Sequence, residues 1–492
     1  MPHSNSKKSN MNRRHFLKAS LTGATLTGLM TQPSYGFFDF NTVLEWAGIG
    51  GKGINNVNGI KQPLAIPPLL EKNANNQIVL VAQKGETAFV KGNSLETWGY
   101  NGSHLGPTIR VKRGDQLNFD VSNQDIPEPI STHWHGLHVP GVDDGTGYQS
   151  IPMGTHWQPE INIVQQASTN WYHSHIHGRT SEHVYKGLVG MFIVEDDNSE
   201  TLSLPKTYGV DDIPIMVQDK QFNPDGTLAP PQGGRFLGNT ILVNGTLNPV
   251  LEVPQKQVRL RLLNGSNARY YNFRLSDKTN FNKIATEGGF LNAPVIMKAI
   301  PMSPGERDEI IIDFSQYELG QTLNLISDDI EGDSGGLFDI IQFKVVADTI
   351  GDAPLPKVMN SVPNPNDFDA LAWHSFALGN GAVRVDNGKA SPFEMARNDL
   401  FVPIHQYQKW TVSGDHHPFH VHGCSFLILS VGGKAPAPQD AGWKDTVAVE
   451  ENQPVEFIVR FEHQATPTAR YMYHCHILGH EDQGMMGQFE VG

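Results

Sequence analysis

Cysteine is almost missing from this chain. Cys424 and Cys475 are the only two in 492 residues, so no disulfide framework staples the fold. No Cys-x-x-Cys pair occurs, which removes the usual zinc knuckle. Charged side chains make up only 18% of the residues, the formal net charge is −14 and no basic tract is present, so nucleic acid is not an expected partner. Long hydrophobic runs are lacking too. Residues 21–30, "LTGATLTGLM", are too short and too mildly apolar to span a bilayer. Histidine has a gap of its own, with none between His183 and His374.

Glycine (49) and proline (32) are plentiful, which favours short strands and turns over long helices. The length predicts about three domains. The N-terminus reads as a signal peptide over residues 1–36, and Arg13-Arg14 followed by Phe16, Leu17 and Lys18 resembles the twin-arginine signal for exporting folded proteins. A bacterial, periplasmic protein without a membrane anchor is therefore expected.

A repeat organises the rest. "NGSHLGPTIRV" starts at Asn101, "NGTLNPVLEV" at Asn244 and "NGKASPFEMA" at Asn387, in steps of 143 residues. That period is too long for a solenoid, so each copy is expected to be a complete β domain. Residues 60–198, 199–352 and 365–492 form the three units, with proline-rich "GDAPLPKVMNSVPNPNDFD" ending the second. In Val258-Arg259-Leu260-Arg261-Leu262 the apolar residues fall on one face of a strand. Three tandem β-sandwiches are the expected all-β architecture.

Histidines cluster in the first and third units as four His-x-His pairs: His133 and His135, His173 and His175, His420 and His422, His474 and His476. In a strand, residues i and i+2 point to one side, so each pair aims two imidazoles together. "YHSHI" in the first unit matches "YHCHI" in the third, with Ser174 where Cys475 stands. Leu188 stands where Met485 does, and Ile130 where His417 does. Thiolate, imidazole and a weak thioether describe a mononuclear blue-copper site, which only the third unit can build. The eight paired histidines suit three further ions shared between the two units. With no histidine, the middle unit is expected to take no part in metal chemistry.

At these motifs the chain resembles the three-domain bacterial multicopper oxidases, which implies tandem cupredoxin-like Greek-key sandwiches and four copper ions. The resemblance implies a type 1 copper on His417, Cys475, His480 and, weakly, Met485, and a type 2 copper on His133 and His420. It implies a type 3 pair held by His135, His173 and His476 on one ion and His175, His422 and His474 on the other. Such enzymes take single electrons from a donor and reduce dioxygen to water, and the resemblance points to Glu481 and Asp144 as proton-relay acids. His138, His156, His177 and His183 are expected in supporting or surface roles, Cys424 as a buried thiol, and Asp445 as a candidate neighbour of the ligands.

Among such enzymes "HWHGLHVPG" and "HCHILGHEDQGMMG" look most like the periplasmic copper-efflux oxidases, which makes Cu(I) the first expected donor, followed by phenols in a laccase-like reaction and by Fe(II). The methionine-rich insertion of that group is missing. Residues 351–413 hold only Met359 and Met395, leaving Asp415 and His416 as candidate substrate ligands. The contrasting expectation is a copper-free structural relative of the kind that serves cell division. A monomer is expected, because both motif-bearing units lie in one chain.

Overall fold

The computed structural model describes residues 61–90, 93–223, 226–328, 337–347, 354–370 and 372–492. The export signal expected over residues 1–36 lies outside them. The described chain is almost entirely β, and its longest helix is the seven-residue Thr180–Lys186.

Three two-sheet units follow one another. In the first, Leu69–Leu70, Thr108–Lys112, Val189–Glu195 and Ser168–His173 form one sheet. Asn93–Tyr100, Gln77–Val90 and Gln116–Asn123 lead the other. The middle unit pairs a six-stranded with a seven-stranded sheet, and Gln62–Pro63 joins the former beside Pro249–Pro254. The third unit carries Tyr471–Cys475 antiparallel to His417–Val421, with His474 opposite His420 and Cys475 opposite Phe419. Each unit has its own apolar core, around Phe119, Trp134 and Phe192, around Leu260, Phe273 and Phe343, and around Trp410, Phe419 and Phe457.

The repeated turn has a mechanical cause. Asn101 and Asn244 both adopt left-handed backbone (φ 56° and 49°), which asparagine tolerates, and each side-chain carbonyl accepts an N–H from an adjoining strand, Val81 at 2.6 Å and Met216 at 2.8 Å. In the third unit the residue that does this is Asp386, at φ 48° with Ser375 N–H donating at 2.7 Å. The structural repeat thus falls one residue before Asn387, because the carboxylate of Asp386 replaces the amide as acceptor.

The alternation in residues 258–262 is real, but its polar face does not meet water. Val258, Leu260 and Leu262 enter the middle core, while Arg259 and Arg261 are buried against the first unit. Arg261 donates to Asp212 at 2.7 and 3.0 Å and to Glu309 at 3.1 Å, Arg259 Nε donates to Glu309 at 2.8 Å, and Thr169 of the first unit donates to Glu309 at 2.6 Å. The first and third units are also tied directly. Asp482 accepts the N–H groups of Thr180 and Ser181, each at 2.9 Å, capping the first turn of the helix Thr180–Lys186 from across the interface.

Removing one member of a buried ionic network strands its partners. Glu309→Ala is expected to cost about 3–5 kcal/mol, because two guanidinium groups lose their shared acceptor. Urea unfolding monitored by tryptophan fluorescence would measure it, and a cost below about 1 kcal/mol would show that the network contributes little.

Candidate metal centre

The eight paired histidines meet at the face between the first and third units. Their rings form one contiguous group: His133 stacks on His422 at 3.9 Å between centroids, His135 on His420 at 3.7 Å, and His175 lies 5.0 Å from His474. Strand pairing sets this up, since His133 and His173 exchange backbone hydrogen bonds at 2.7 and 3.1 Å while His420 lies opposite His474. Both motif glycines are required. Gly136 and Gly423 have φ of 90° and 69°, and a Cβ would strike Arg307, Asn170 and Asp445 at the first and the Tyr471 ring at the second.

Two aspartates hold the rings, and they do so reciprocally. The Asp144 carbonyl accepts from His133 Nδ1 at 2.8 Å, and its carboxylate accepts from His422 Nδ1 of the third unit at 2.7 Å. The Asp445 carbonyl accepts from His420 Nδ1 at 2.9 Å, and its carboxylate accepts from His135 Nε2 of the first unit at 3.0 Å. Asp144 is therefore a buried anchor and not only a turn residue.

These anchors decide which nitrogens are left to bind a metal. A carbonyl or carboxylate can only accept, so the anchored nitrogen carries the hydrogen and the other offers its lone pair. Carbonyls of Ser174 and Cys475 fix His173 and His474 in the same way, each at 3.0 Å. Nε2 of His133, His173 and His420, Nδ1 of His135 and both nitrogens of His476 are buried without a hydrogen-bond partner. Nε2 of His474 lies 3.2 Å from Nε2 of both His175 and His422. His422 and His474 each already donate through Nδ1, so two lone pairs face each other there. A cation resolves that repulsion, and imidazole donors suit copper. Burial moves His135, His173, His175, His422, His474 and His476 well below the ordinary imidazole range, which keeps them neutral as ligation requires.

The second donor set lies within the third unit. Cys475 Sγ is 3.4 Å from His417 Nδ1 and 3.6 Å from His480 Nδ1, and Met485 is buried in the same core. Cys475 N–H donates to the Met485 carbonyl at 3.1 Å, and Ser174 N–H donates to that of Leu188 at 3.2 Å, so the two repeats share this geometry while only one carries sulfur. In the first unit Ser174 Oγ instead meets His183 Nδ1 at 2.7 Å. Strand alternation explains the thiol's neighbours. Cys475 faces its own unit's core, whereas His474 and His476 face the interface.

Glu481 is buried beside the cluster, 3.5 Å from His175 Nδ1 and 3.3 Å from His474 Nδ1, with the Thr180 side chain near its carboxylate. Burial, with the nearby Asp482 charge, pushes its carboxyl well above the usual range. His138 meets Ser425 Oγ at 2.9 Å, His156 pairs with Asp120 at the surface, His177 packs on Phe393 at 5.1 Å, and Cys424 is buried; none of these joins a donor group. Asp415 is exposed. Met359 is buried among Ala167, Ile284 and Phe290, away from the thiol. Sequence reasoning missed Arg307 of the middle unit, which donates to both Asp445 oxygens at 2.8 and 2.6 Å.

Comparison with known proteins places the chain in a family. The chain matches the multicopper oxidase family over residues 81–199, 213–322 and 357–492. It is similar to the solved laccase-like multicopper oxidase CueO from Ochrobactrum sp. (34% identity, TM-score 0.81, 87% of this chain and 100% of that one). It is similar as well to McoA from Aquifex aeolicus (31% identity, TM-score 0.80, 88% of this chain and 100% of that one). Among curated proteins it is 37% identical over 443 residues to cell division protein FtsP of Dickeya dadantii, covering 88% of this chain and 93% of that protein. It is 36% identical to FtsP of Salmonella typhimurium over 451 residues, covering 89% and 94%. The chain belongs to the multicopper oxidase family, with cupredoxin-like sandwiches, and family membership implies copper binding.

Loss of a hydrogen-bond partner behind a metal ligand typically weakens retention about 10–100-fold. Asp144→Ala frees His422 Nδ1 while the backbone carbonyl still holds His133. Chelator competition is expected to show copper at the histidine cluster weakened by that factor, with the cysteine-centred copper unchanged. Equal retention at both would mean that packing alone orients His422.

Proposed function

We propose that this protein is an active multicopper oxidase that takes single electrons from a small reductant at the cysteine-centred set and passes them to dioxygen at the histidine cluster. The carrying observation is Cys475, which belongs to one donor set while its chain neighbours His474 and His476 belong to the other. His417, Cys475, His480 and Met485 would hold a type 1 ion. His133 and His420 would hold a type 2 ion, and His135, His173, His476 and His175, His422, His474 the two type 3 ions. Bound copper would supply the redox chemistry that these side chains lack.

The chain's own part is to connect, to exclude water and to move protons. Covalent backbone leads from Cys475 to both neighbouring histidines. The cluster rings are buried, which keeps solvent from partly reduced oxygen. Glu481 holds a proton against the ligand rings, and the partly exposed Asp482 beside it, raised to about 6 by burial, offers a way in from solvent. Asp144 holds His422 and is the second acid of the set.

For the donor we favour a phenol-like organic reductant over Cu(I), which sequence alone placed first. Met359 is buried elsewhere, so no thioether from it reaches the thiol site to receive a soft cuprous ion. Fe(II) remains third. The N-terminal arginine pair supports periplasmic export, and no described helix is long and apolar enough to cross a membrane.

The curated relatives favour a second reading, a copper-independent role in cell division. Dioxygen uptake by the copper-loaded protein, with a phenol, Cu(I) and Fe(II) as parallel donors, separates the two. Oxidase function predicts uptake that Cys475→Ser abolishes. It also predicts that Glu481→Gln slows uptake about 100-fold while anaerobic bleaching of the blue absorption by the donor is unchanged. No uptake from any donor, together with a division defect complemented by the Cys475→Ser chain, would establish the second reading.

A further inference from the structure

The histidine-free middle unit is built into the cluster through one residue. Arg307 is fully buried and spends every donor it has. Its Nη1 and Nη2 clamp Asp445 at 2.8 and 2.6 Å, its Nε donates to the Thr169 carbonyl at 3.0 Å, Nη1 to the Gly305 carbonyl at 3.1 Å, and Nη2 to Asn170 Oδ1 at 3.4 Å. It therefore touches all three units. A second contact runs beside it. Lys444, next to Asp445, pairs with Glu306, next to Arg307, at 3.2 Å and with Glu287 at 2.8 Å. Adjacent residues of opposite sign on each side thus set the register in which the middle unit meets the third.

The ring that this clamp serves is the odd one of the set. His133, His173, His420, His422 and His474 are all anchored at Nδ1 and turn Nε2 inward. His135 is anchored at Nε2 and leaves Nδ1, which is buried and without a partner, to face the cluster. His135 Nε2 also lies 3.2 Å from Thr446 Oγ1, so the inverted choice is held by Asp445 at 3.0 Å with Thr446 beside it. Thr446 Oγ1 also donates to Asp445 Oδ1 at 2.8 Å, which completes its shell. Among the described residues Asp144, the reciprocal carboxylate, pairs only with histidine rings, His422 Nδ1 at 2.7 Å and His133 Nδ1 at 3.4 Å. The two-fold arrangement of ligands is therefore not matched by a two-fold arrangement of charges.

We infer that Arg307 is a positioning residue for the cluster: by clamping Asp445 it fixes His135 as an Nδ1 ligand, so the middle unit determines whether that metal position forms. This rests on the oxidase reading of the site. A bidentate guanidinium holds a carboxylate in one plane, which an ammonium cannot do.

The test compares full-length Arg307→Gln and Arg307→Lys with wild type and with Glu309→Ala, which weakens the same interface without touching Asp445. Copper per chain, chelator competition, blue absorption and thermal midpoint are measured on each. Arg307→Gln is expected to weaken copper retention at the histidine cluster about 10–100-fold while blue absorption stays at the wild-type level. Arg307→Lys should recover part of the loss, and Glu309→Ala should lower the midpoint with copper retained. The inference is overturned if Arg307→Gln keeps its full copper, or if Glu309→Ala loses cluster copper in the same proportion to its midpoint. Wild-type protein that binds copper at the cysteine site but none at the cluster overturns both this inference and the oxidase reading, whereas a normal wild type with unaffected Arg307 variants overturns the inference alone.

Discussion

The reciprocal hold of Asp144 and Asp445 on the rings of the opposite unit is the constraint on which the centre of this molecule depends. Each aspartate uses its carbonyl on a histidine of its own unit and its carboxylate on a histidine of the other. One pair of residues thereby fixes ring tautomers and docks the units together. If either unit shifted by an ångström, hydrogen bonds of 2.7–3.0 Å would break and lone pairs now facing one another would scatter. The cluster and the interface cannot be separated energetically, because eight buried imidazoles, six of them with an unpartnered nitrogen, are costly without the cation they surround.

Around this centre the units have diverged in what they supply. The third unit offers sulfur on the core side of one strand and imidazole on the interface side. The first keeps the imidazoles and fills the sulfur positions with Ser174 and Leu188, the serine now bonded to His183. The middle unit offers only charge, but buried charge. Arg259 and Arg261 meet Glu309 and Asp212, Arg307 meets Asp445, and Lys444 meets Glu287 and Glu306. Such pairs are costly to desolvate, and they add a directional requirement that apolar contact lacks.

The functional tension in this family lies between chemistry and scaffold. The curated relatives are named for cell division, the solved structures for oxidation. A fold of three sandwiches serves either, so the decision rests with the site. Here every donor position of the two sets holds a residue of a type able to ligate copper, and the hydrogen bonds behind each anchored ring leave its other nitrogen facing the cluster.

Much of this was legible in the sequence. The all-β architecture followed from glycine, proline and strand-length apolar runs, the repeat from the turns at Asn101 and Asn244, and the donor set from four His-x-His pairs and one cysteine, because residue type and period 2 spacing are local properties. The third turn was misplaced by one residue, since asparagine and aspartate make the same anchor and only the strand hydrogen bond shows that Asp386 uses it. The rings that the Asp144 and Asp445 carboxylates hold across the interface lie 278 and 310 residues away, and Arg307 lies 138 residues from Asp445. Alternation at Arg259 and Arg261 identified a face, but what covers that face is another unit. By itself, then, the sequence determined which atoms could ligate and which strand faces they share. Which ring nitrogen is free, which carboxylate is clamped, and that the middle unit reaches the cluster were decided by tertiary structure alone, because hydrogen bonds across domain interfaces leave no periodic signal along the chain.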